Sequence, residues 1–308
     1  MHTSTTSMTT WLTLAALVSS APVAAATSGS HYPMGAEGVK AATAPPPGLH
    51  YRLYNTLYSA DTQTNNAGQD SGLDFNLDLF AQVHRFVQVT DTKLFGANWG
   101  YNVLIPLIDK ELSIEPLGVN DSHSLAMGDI VIEPLSLFWF KERFDAAFAL
   151  AVIAPSGDFD ARQAVNPGFG YWSGMLSAGA TYYLDEQKSW SFSALTRTLI
   201  NGKQEDTDIR PGAEFIIEGG LGKEFSIDHT WLLQPGFSYC ASWQISDDSK
   251  DGHGTIANER KRAFGLGAEI NAFYLPWLMQ VNFRYVKELE TKNTTEGSSA
   301  VLTFTKSF

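Results

Sequence analysis

The chain is poor in several things, and each shortage narrows what it can be. It has 308 residues and one cysteine, Cys240, so neither an internal disulfide nor a cysteine-based zinc cage can form. Charged residues make up only 18 %, and they are unbalanced: 21 Lys and Arg stand against 33 Asp and Glu, for a net charge of -12. A nucleic-acid partner is disfavoured, because binding a phosphate backbone needs cationic side chains. Mean hydropathy is -0.12, which argues against a bundle of apolar helices that each cross a bilayer. It does not argue against a membrane barrel, whose strands alternate apolar and polar residues and so dilute their own hydropathy. No helical period holds over a long window, and no Gly-Lys-Ser/Thr phosphate loop is present. No cofactor and no metal site is expected.

The N-terminus reads as an export signal. Residues 1–26 hold no Asp, Glu, Lys or Arg; Trp11 to Val23 supplies an apolar core, and Ala24-Ala25-Ala26 a small-residue cleavage pattern. Residues 27–47, with Pro45-Pro46-Pro47, form an N-terminal tail on the periplasmic side that either hangs loose or enters and plugs a lumen. From residue 48 to 308 the texture is uniform, without a domain boundary.

That texture has a period of two. In Met279 to Val286 one face reads Met279, Val281, Phe283, Tyr285 and the other Gln280, Asn282, Arg284, Val286. Leu233 to Ile245 and Phe264 to Tyr274 alternate likewise, and so does Leu73 to His84, with its polar set Asp74, Asp78, Gln82 and His84. Successive strand side chains point to opposite faces, so one set meets oil and the other water. A soluble sandwich alternates too. Three further features favour a membrane. Connections alternate between short (90–96, 140–143, 185–188, 227–229, 276–277) and long (61–72, 110–122, 156–169, 202–212, 246–260, 289–298), as in barrels with short periplasmic turns and long outer loops. Five tryptophans, Trp99, Trp139, Trp190, Trp231 and Trp277, fall at the short-turn ends, where a headgroup-level girdle would sit. The chain ends on an alternating strand closed by Phe308, of the kind read by the barrel-assembly machinery. The expected fold is an all-β, antiparallel up-and-down transmembrane barrel of about twelve strands in the bacterial outer membrane, in contact with outer-membrane lipid.

Several local patterns add to this: His31-Tyr32-Pro33 with Gly35; Gly128-Asp129-Ile130 followed by Glu133-Pro134; Ala154-Pro155-Ser156-Gly157-Asp158-Phe159; Asn166-Pro167-Gly168 with Tyr171-Trp172; and the closing Leu302-Thr303-Phe304-Thr305-Lys306. In this order, over roughly residues 30 to 308, they resemble the outer-membrane protein family associated with the meta-cleavage pathway of phenol degradation. Ser156 stands where that family usually has Thr. The resemblance implies a barrel that passes aromatic or other hydrophobic small molecules.

Strand parity assigns a lumen face that carries Arg52, Tyr54, Tyr58, Asp74, Asp78, Phe80, His84, Asp129, Glu133, Tyr171, Met175, Arg197, Glu218, Glu269, Phe273 and Arg284, and one bulge would invert it locally. A lining of mixed charges and aromatics suits a small-molecule passage better than a wide ion pore. Pairing of Arg52, Arg197 and Arg284 with Asp78, Glu133, Glu218 or Glu269 would serve structure instead. No enzyme is expected: Asp228-His229 and His123-Ser124 lack a third member, although a hydrolase would need only a Ser or Asp within reach of a His. The acidic stretches 205–208 and 247–251 read as solvated loops, and Cys240 as a packing residue. The expected role is passive uptake of small hydrophobic or aromatic molecules. The alternative is a non-transporting envelope barrel.

Overall fold

A computed structural model describes residues 29–251, 254–257 and 259–308. The expected export signal, residues 1–26, lies outside the described residues. The strands are β1 (Gly48–Gln63), β2 (Phe75–Leu94), β3 (Ala97–Ile114), β4 (Val119–Met127), β5 (Ile130–Phe140), β6 (Phe144–Ala154), β7 (Ser173–Tyr183), β8 (Trp190–Asn201), β9 (Ile209–Arg210), β10 (Glu214–Lys223), β11 (Phe225–Ile227), β12 (Trp231–Gln244), β13 (Asp248–Lys250), β14 (Gly254–Ala257), β15 (Arg262–Tyr274), β16 (Met279–Lys292) and β17 (Thr295–Ser307). Each wall strand pairs antiparallel with its neighbours, and β1 closes on β17 from His50 opposite Ser307 to Gln63 opposite Thr295. The ring has twelve staves among the described residues. β4 continues β5 upward along β3, and β11 continues β10 along β12. The strands β9, β13 and β14 make a separate small sheet in the outer loops.

Closure leaves every backbone group in the oil with a partner, which is the condition a β structure must meet to span a bilayer. The outward face is apolar where it meets lipid: Leu150, Leu176, Phe192, Phe237, Ile270 and Phe283 are all exposed. The five girdle tryptophans stand at the end that also holds both strand termini, with Phe95, Phe140, Phe144 and Phe308 exposed beside them. Trp172 and Trp243, both exposed, lie at the opposite end.

Strand length is uneven. β6 has 11 residues and β10 has 10, close to the span of an oil layer, whereas β2 has 20 and β3 has 18. The β1–β3 and β16–β17 side therefore stands well above the membrane. Two connections expected to be long, 110–122 and 289–298, are instead tight hairpins, turned by Gly118 and Asn293 at positive φ. The strands simply continue into water, because hydrogen bonding does not stop where the oil does.

The same tall side overturns part of the lumen assignment. Register carries faces from strand to strand: Tyr54 opposes Val83, Tyr58 opposes Leu79 and Arg52 opposes Arg85. Thus Leu77, Leu79, Ala81, Val83 and Arg85 point inward, while Asp78, Phe80 and His84 point outward, and Gln82 with them. Asp74 precedes β2 and is exposed. The polar face of upper β2 is its outer one because it projects into water, and its apolar face packs within the mouth against Val165 of loop 155–172. A second local inversion lies in β5. Glu133 and Pro134 together oppose one residue of β6, and this bulge brings both Glu133 and Ser136 inward. Proline suits the bulge because it has no N–H to leave unpaired.

A direct check is the substitution Phe237→Arg on the outward face of β12, where the phenyl ring is 73 % exposed. Near mid-membrane it should lower folding stability into lipid by about 2–4 kcal/mol, read by denaturant titration in vesicles. An unchanged titration would mean that this face does not meet oil.

Candidate functional site

Residues 29–47 run inside the barrel and bond to inward-facing side chains around its circumference. The structure thereby puts the segment in the lumen rather than beside it. Glu37 is the centre of one group. Arg52 on β1 and Arg85 on β2 stand directly opposite each other, a like-charge pair that would repel. The Glu37 carboxylate accepts from Arg52 Nη1 at 3.3 Å and Arg85 Nη1 at 3.1 Å, and from Tyr54 Oη at 2.8 Å. Arg85 Nε in turn donates to Asn102 Oδ1 at 3.1 Å, and Asn102 Nδ2 to Glu133 Oε1 at 2.6 Å.

Two further pairs complete the belt. Arg197 on β8 meets Glu218 on β10 at 3.3 Å and lies 4.1 Å over the Tyr32 ring, whose hydroxyl donates to the same carboxylate. The other oxygen of Glu218 accepts from the Glu37 amide at 3.1 Å. Arg284 on β16 meets Glu269 on β15 at 2.6 Å and donates to the carbonyls of Gly35 and Ala36, while Glu269 accepts from the Val39 amide at 3.0 Å. Each carboxylate therefore serves a guanidinium of the wall and an amide of the segment. Apolar fit is supplied at one place. Val39 sits where β10 and β12 carry glycine, and a Cβ on Gly222 or Gly236 would come within 2.5 Å of a Val39 methyl. Near the periplasmic end Lys40 Nζ pairs with Glu224 at 2.7 Å.

A second group forms where β4 gives way to β5. Asp129 sits at that break and is buried. Its Oδ1 accepts from the Gly157 amide at 3.0 Å, and its Oδ2 from the Phe169 amide at 2.8 Å and from His31 Nε2 at 2.8 Å. Ser156 Oγ accepts from the Ile130 amide at 2.9 Å. Gly157 and Gly168 lie back to back, with no room for a Cβ on either. The imidazole of His31 also packs against Tyr171, with ring centroids 4.6 Å apart. The motifs that lie far apart in sequence, around His31, Asp129, Ser156, Asn166 and Tyr171, thus meet in one latch that ties the segment to loop 155–172.

The latch contains Ser, His and Asp in contact: His31 Nδ1 is 2.9 Å from Ser173 Oγ. Ser173 is 2 % exposed, and its hydroxyl donates to Asn201 Oδ1 at 2.7 Å. Burial, with the carboxylates of Glu214, Asp129 and Asp248 nearby, pushes the Tyr171 hydroxyl well above its usual range, so it stays a neutral phenol.

Above the segment the interior is apolar on one side. Leu79, Ala81 and Val83 of β2 and Leu104, Pro106 and Ile108 of β3 face inward by register, yet remain partly exposed. An inward side chain can be exposed only to open interior, so these six line a chamber. At its lower edge Leu104 joins a cluster of Met175, Val131, Ile153, Leu199 and Ile216, which also packs with Tyr32 and Met34.

Of the residues singled out from sequence, Arg52, Tyr54, Tyr58, Glu133, Met175, Arg197, Glu218, Glu269, Phe273 and Arg284 face the interior. Asp129 and Tyr171 belong to the latch, and Asp74, Asp78, Phe80 and His84 lie elsewhere. Of the expected pairs, Arg197–Glu218 and Arg284–Glu269 form, whereas Arg52 takes Glu37. Sequence reading missed Glu37, Arg85 and Ser173.

Lys40 offers a clean readout of the segment's seat. Trypsin should spare Lys40 in the folded protein and cleave there in Gly222→Leu, whose side chain takes the space of Val39, with the barrel itself intact on a gel. Glu37→Gln should expose Lys40 as well, since removing one member of a buried ion group costs about 3–5 kcal/mol. Equal resistance in all three proteins would show that neither contact holds the segment.

Comparison with known proteins fits this geometry. Residues 60–304 match the family model described as a putative MetA-pathway of phenol degradation. Among solved structures, an outer membrane channel from Pseudomonas putida F1 superimposes with a TM-score of 0.73 at 16 % identity, over 87 % of this chain and 97 % of that one. The β domain of the Bordetella autotransporter BrkA gives 0.49 at 10 % identity, over 85 % and 100 %, and a mutant of the monoaromatic hydrocarbon channel TodX gives 0.37 at 14 %, over 86 % and 91 %. Only the first is close enough to speak to the fold. No curated protein matches the chain. A closed twelve-stave barrel with a lipid-facing apolar wall, matched along most of its length by one family model, identifies the chain as a bacterial outer-membrane barrel that belongs to the putative MetA-pathway of phenol degradation family.

Proposed function

We propose that the protein is a passive outer-membrane channel for small hydrophobic or aromatic molecules, with residues 29–47 as its constriction. The observation that carries this reading is the apolar chamber of β2 and β3, open above a segment held by polar contacts. A barrel kept only for strength would gain by packing those six apolar side chains, since exposed apolar surface forfeits about 25 cal/mol per Å². Twelve staves lie between the eight that side chains can fill and the sixteen that leave a wide aqueous pore. A passage of intermediate width, narrowed by one chain segment, suits a single small ligand. Movement down a gradient needs no energy source.

A non-transporting barrel is the second reading, favoured by the belt itself: Glu37, Glu218 and Glu269 are all committed to arginines, and the segment crosses the lumen. Catalysis is the least supported. The Ser173 hydroxyl is turned to Asn201, and His123 Nδ1 donates to the neighbouring Ser124 carbonyl.

Two measurements separate these readings. Liposomes carrying the full-length protein should admit aromatic acids and phenols faster than sugars of similar size, relative to protein-free liposomes. Equal entry of all three, or of none, would count against a selective channel. In planar bilayers, deletion of residues 29–44 should raise single-channel conductance several-fold. Unchanged conductance would remove the segment from the permeation path.

A further inference from the structure

The four arginines at inward strand positions, Arg52, Arg85, Arg197 and Arg284, are each matched by a carboxylate. One inward cation is not. Lys110 follows Ile108 on the inner face of β3, opposite Leu79 of β2 and below Leu112. It is half-buried, and among the described residues it makes no hydrogen bond, ion pair or ring contact. Its neighbours by register are Leu79 of β2 on one side and His123 of β4 on the other, with Ile108 and Leu112 two residues away along its own strand and Tyr58 one strand beyond Leu79. The charge that acts on it is another cation, Lys261 at the head of β15. Lys261 differs, since Glu214 and Asp248 lie within its electrostatic reach.

A half-buried ammonium group flanked by Leu79 and His123, with a like charge across the mouth, is costly to leave unmatched. Every other inward cation of the wall strands shows what relieves that cost, namely a carboxylate. Among the described residues no carboxylate pairs with Lys110, while a partly open apolar wall lies immediately beneath it. The two features together describe a site for a molecule with an apolar body and an anionic head.

We propose that Lys110 is the anion-recognising group of a subsite in the outer half of the lumen, which takes small carboxylic acids with their apolar part, aromatic or aliphatic, against the β2–β3 wall and their carboxylate at the Lys110 ammonium facing Lys261. This rests on the channel reading and narrows it, from hydrophobic molecules in general to amphipathic acids. A solute entering from outside would meet the cations first and the apolar wall second. The carboxylate would orient the molecule before its body settles above the Tyr32–Met34 stretch of the segment.

The test is equilibrium binding of benzoate and its neutral isostere benzamide to the full-length protein in detergent. Benzoate should bind more tightly than benzamide. Lys110→Met, which keeps side-chain length and apolar bulk, should weaken benzoate by roughly tenfold or more and leave benzamide within twofold. Lys110→Arg should retain the preference and thereby exclude a folding defect as the cause. Equal binding of the two ligands to the unaltered protein, absence of benzoate binding, or a loss in Lys110→Met that is the same for both would each overturn the subsite. The channel reading is tested separately, by entry of phenols against sugars into liposomes. A channel that favours phenols yet shows no benzoate preference would leave that reading intact and sink this one.

Discussion

Twelve staves make a ring of awkward width. Side chains alone can fill a ring of about eight, and about sixteen can be left full of water. Here β1 must close on β17 to satisfy the sheet in oil, and closure fixes the diameter before any interior question is settled. What remains is a tube too wide for its own side chains and bounded by lipid outside. Residues 29–47 answer this by adding a thirteenth length of chain, one that joins no ladder. Being irregular, it brings unpaired amides and carbonyls into the interior, and these need partners. Glu218 and Glu269 accept from its amides, Arg284 donates to its carbonyls and Ser193 bonds to Gly38 O. The charged belt follows from the width of the ring.

The buried charges also explain the shape of the space that is left. The belt ties the segment backbone to β8, β10, β15 and β16, where Ser193, Glu218, Glu269 and Arg284 bond its amides and carbonyls, and reaches β1 and β2 only through the Glu37 side chain. The β2–β3 wall keeps only Arg85 and Asn102 at that level and is apolar above them as far as Lys110. An eccentric filling leaves the chamber on one side. The latch at Asp129 fixes the upper end of the segment at the point where β4 departs from β5, so loop 155–172 and the segment are braced by one carboxylate. The mouth and the constriction are coupled through Asp129 and His31.

Much of the ring was legible in the sequence because lipid imposes a regular demand. Aromatic residues at one end of each stave, the rhythm of connections and the alternation on β12, β15 and β16 all report the same surface. The inner face of β2 was not legible from residues 73–84, since that stretch stands in water and its outer side is the polar one. The decisive signal lay further along the strand: an arginine facing oil at mid-membrane would cost about 2–4 kcal/mol, so Arg85 had to point inward and Phe86 outward. Reading parity from that end would have set Asp78, Phe80 and His84 aside. Glu37 and the Asp129 latch are a different case. Their partners lie 15 to 181 residues away in sequence, and no local pattern encodes such meetings. The bulge at Glu133-Pro134 was signposted by its proline, though not its effect on Ser136.

The seat of Val39 carries one more consequence. Gly220, Gly222 and Gly236 leave the wall bare at a single spot, and a single side chain occupies it. A smooth wall would let an irregular segment creep along it by small steps. A notch with one matching tooth does not. Any shift of the segment along the barrel axis must first lift Val39 clear, and no other position on β10 or β12 offers the same hollow. The constriction is thereby indexed: it is seated in one register or withdrawn, with no graded settings between.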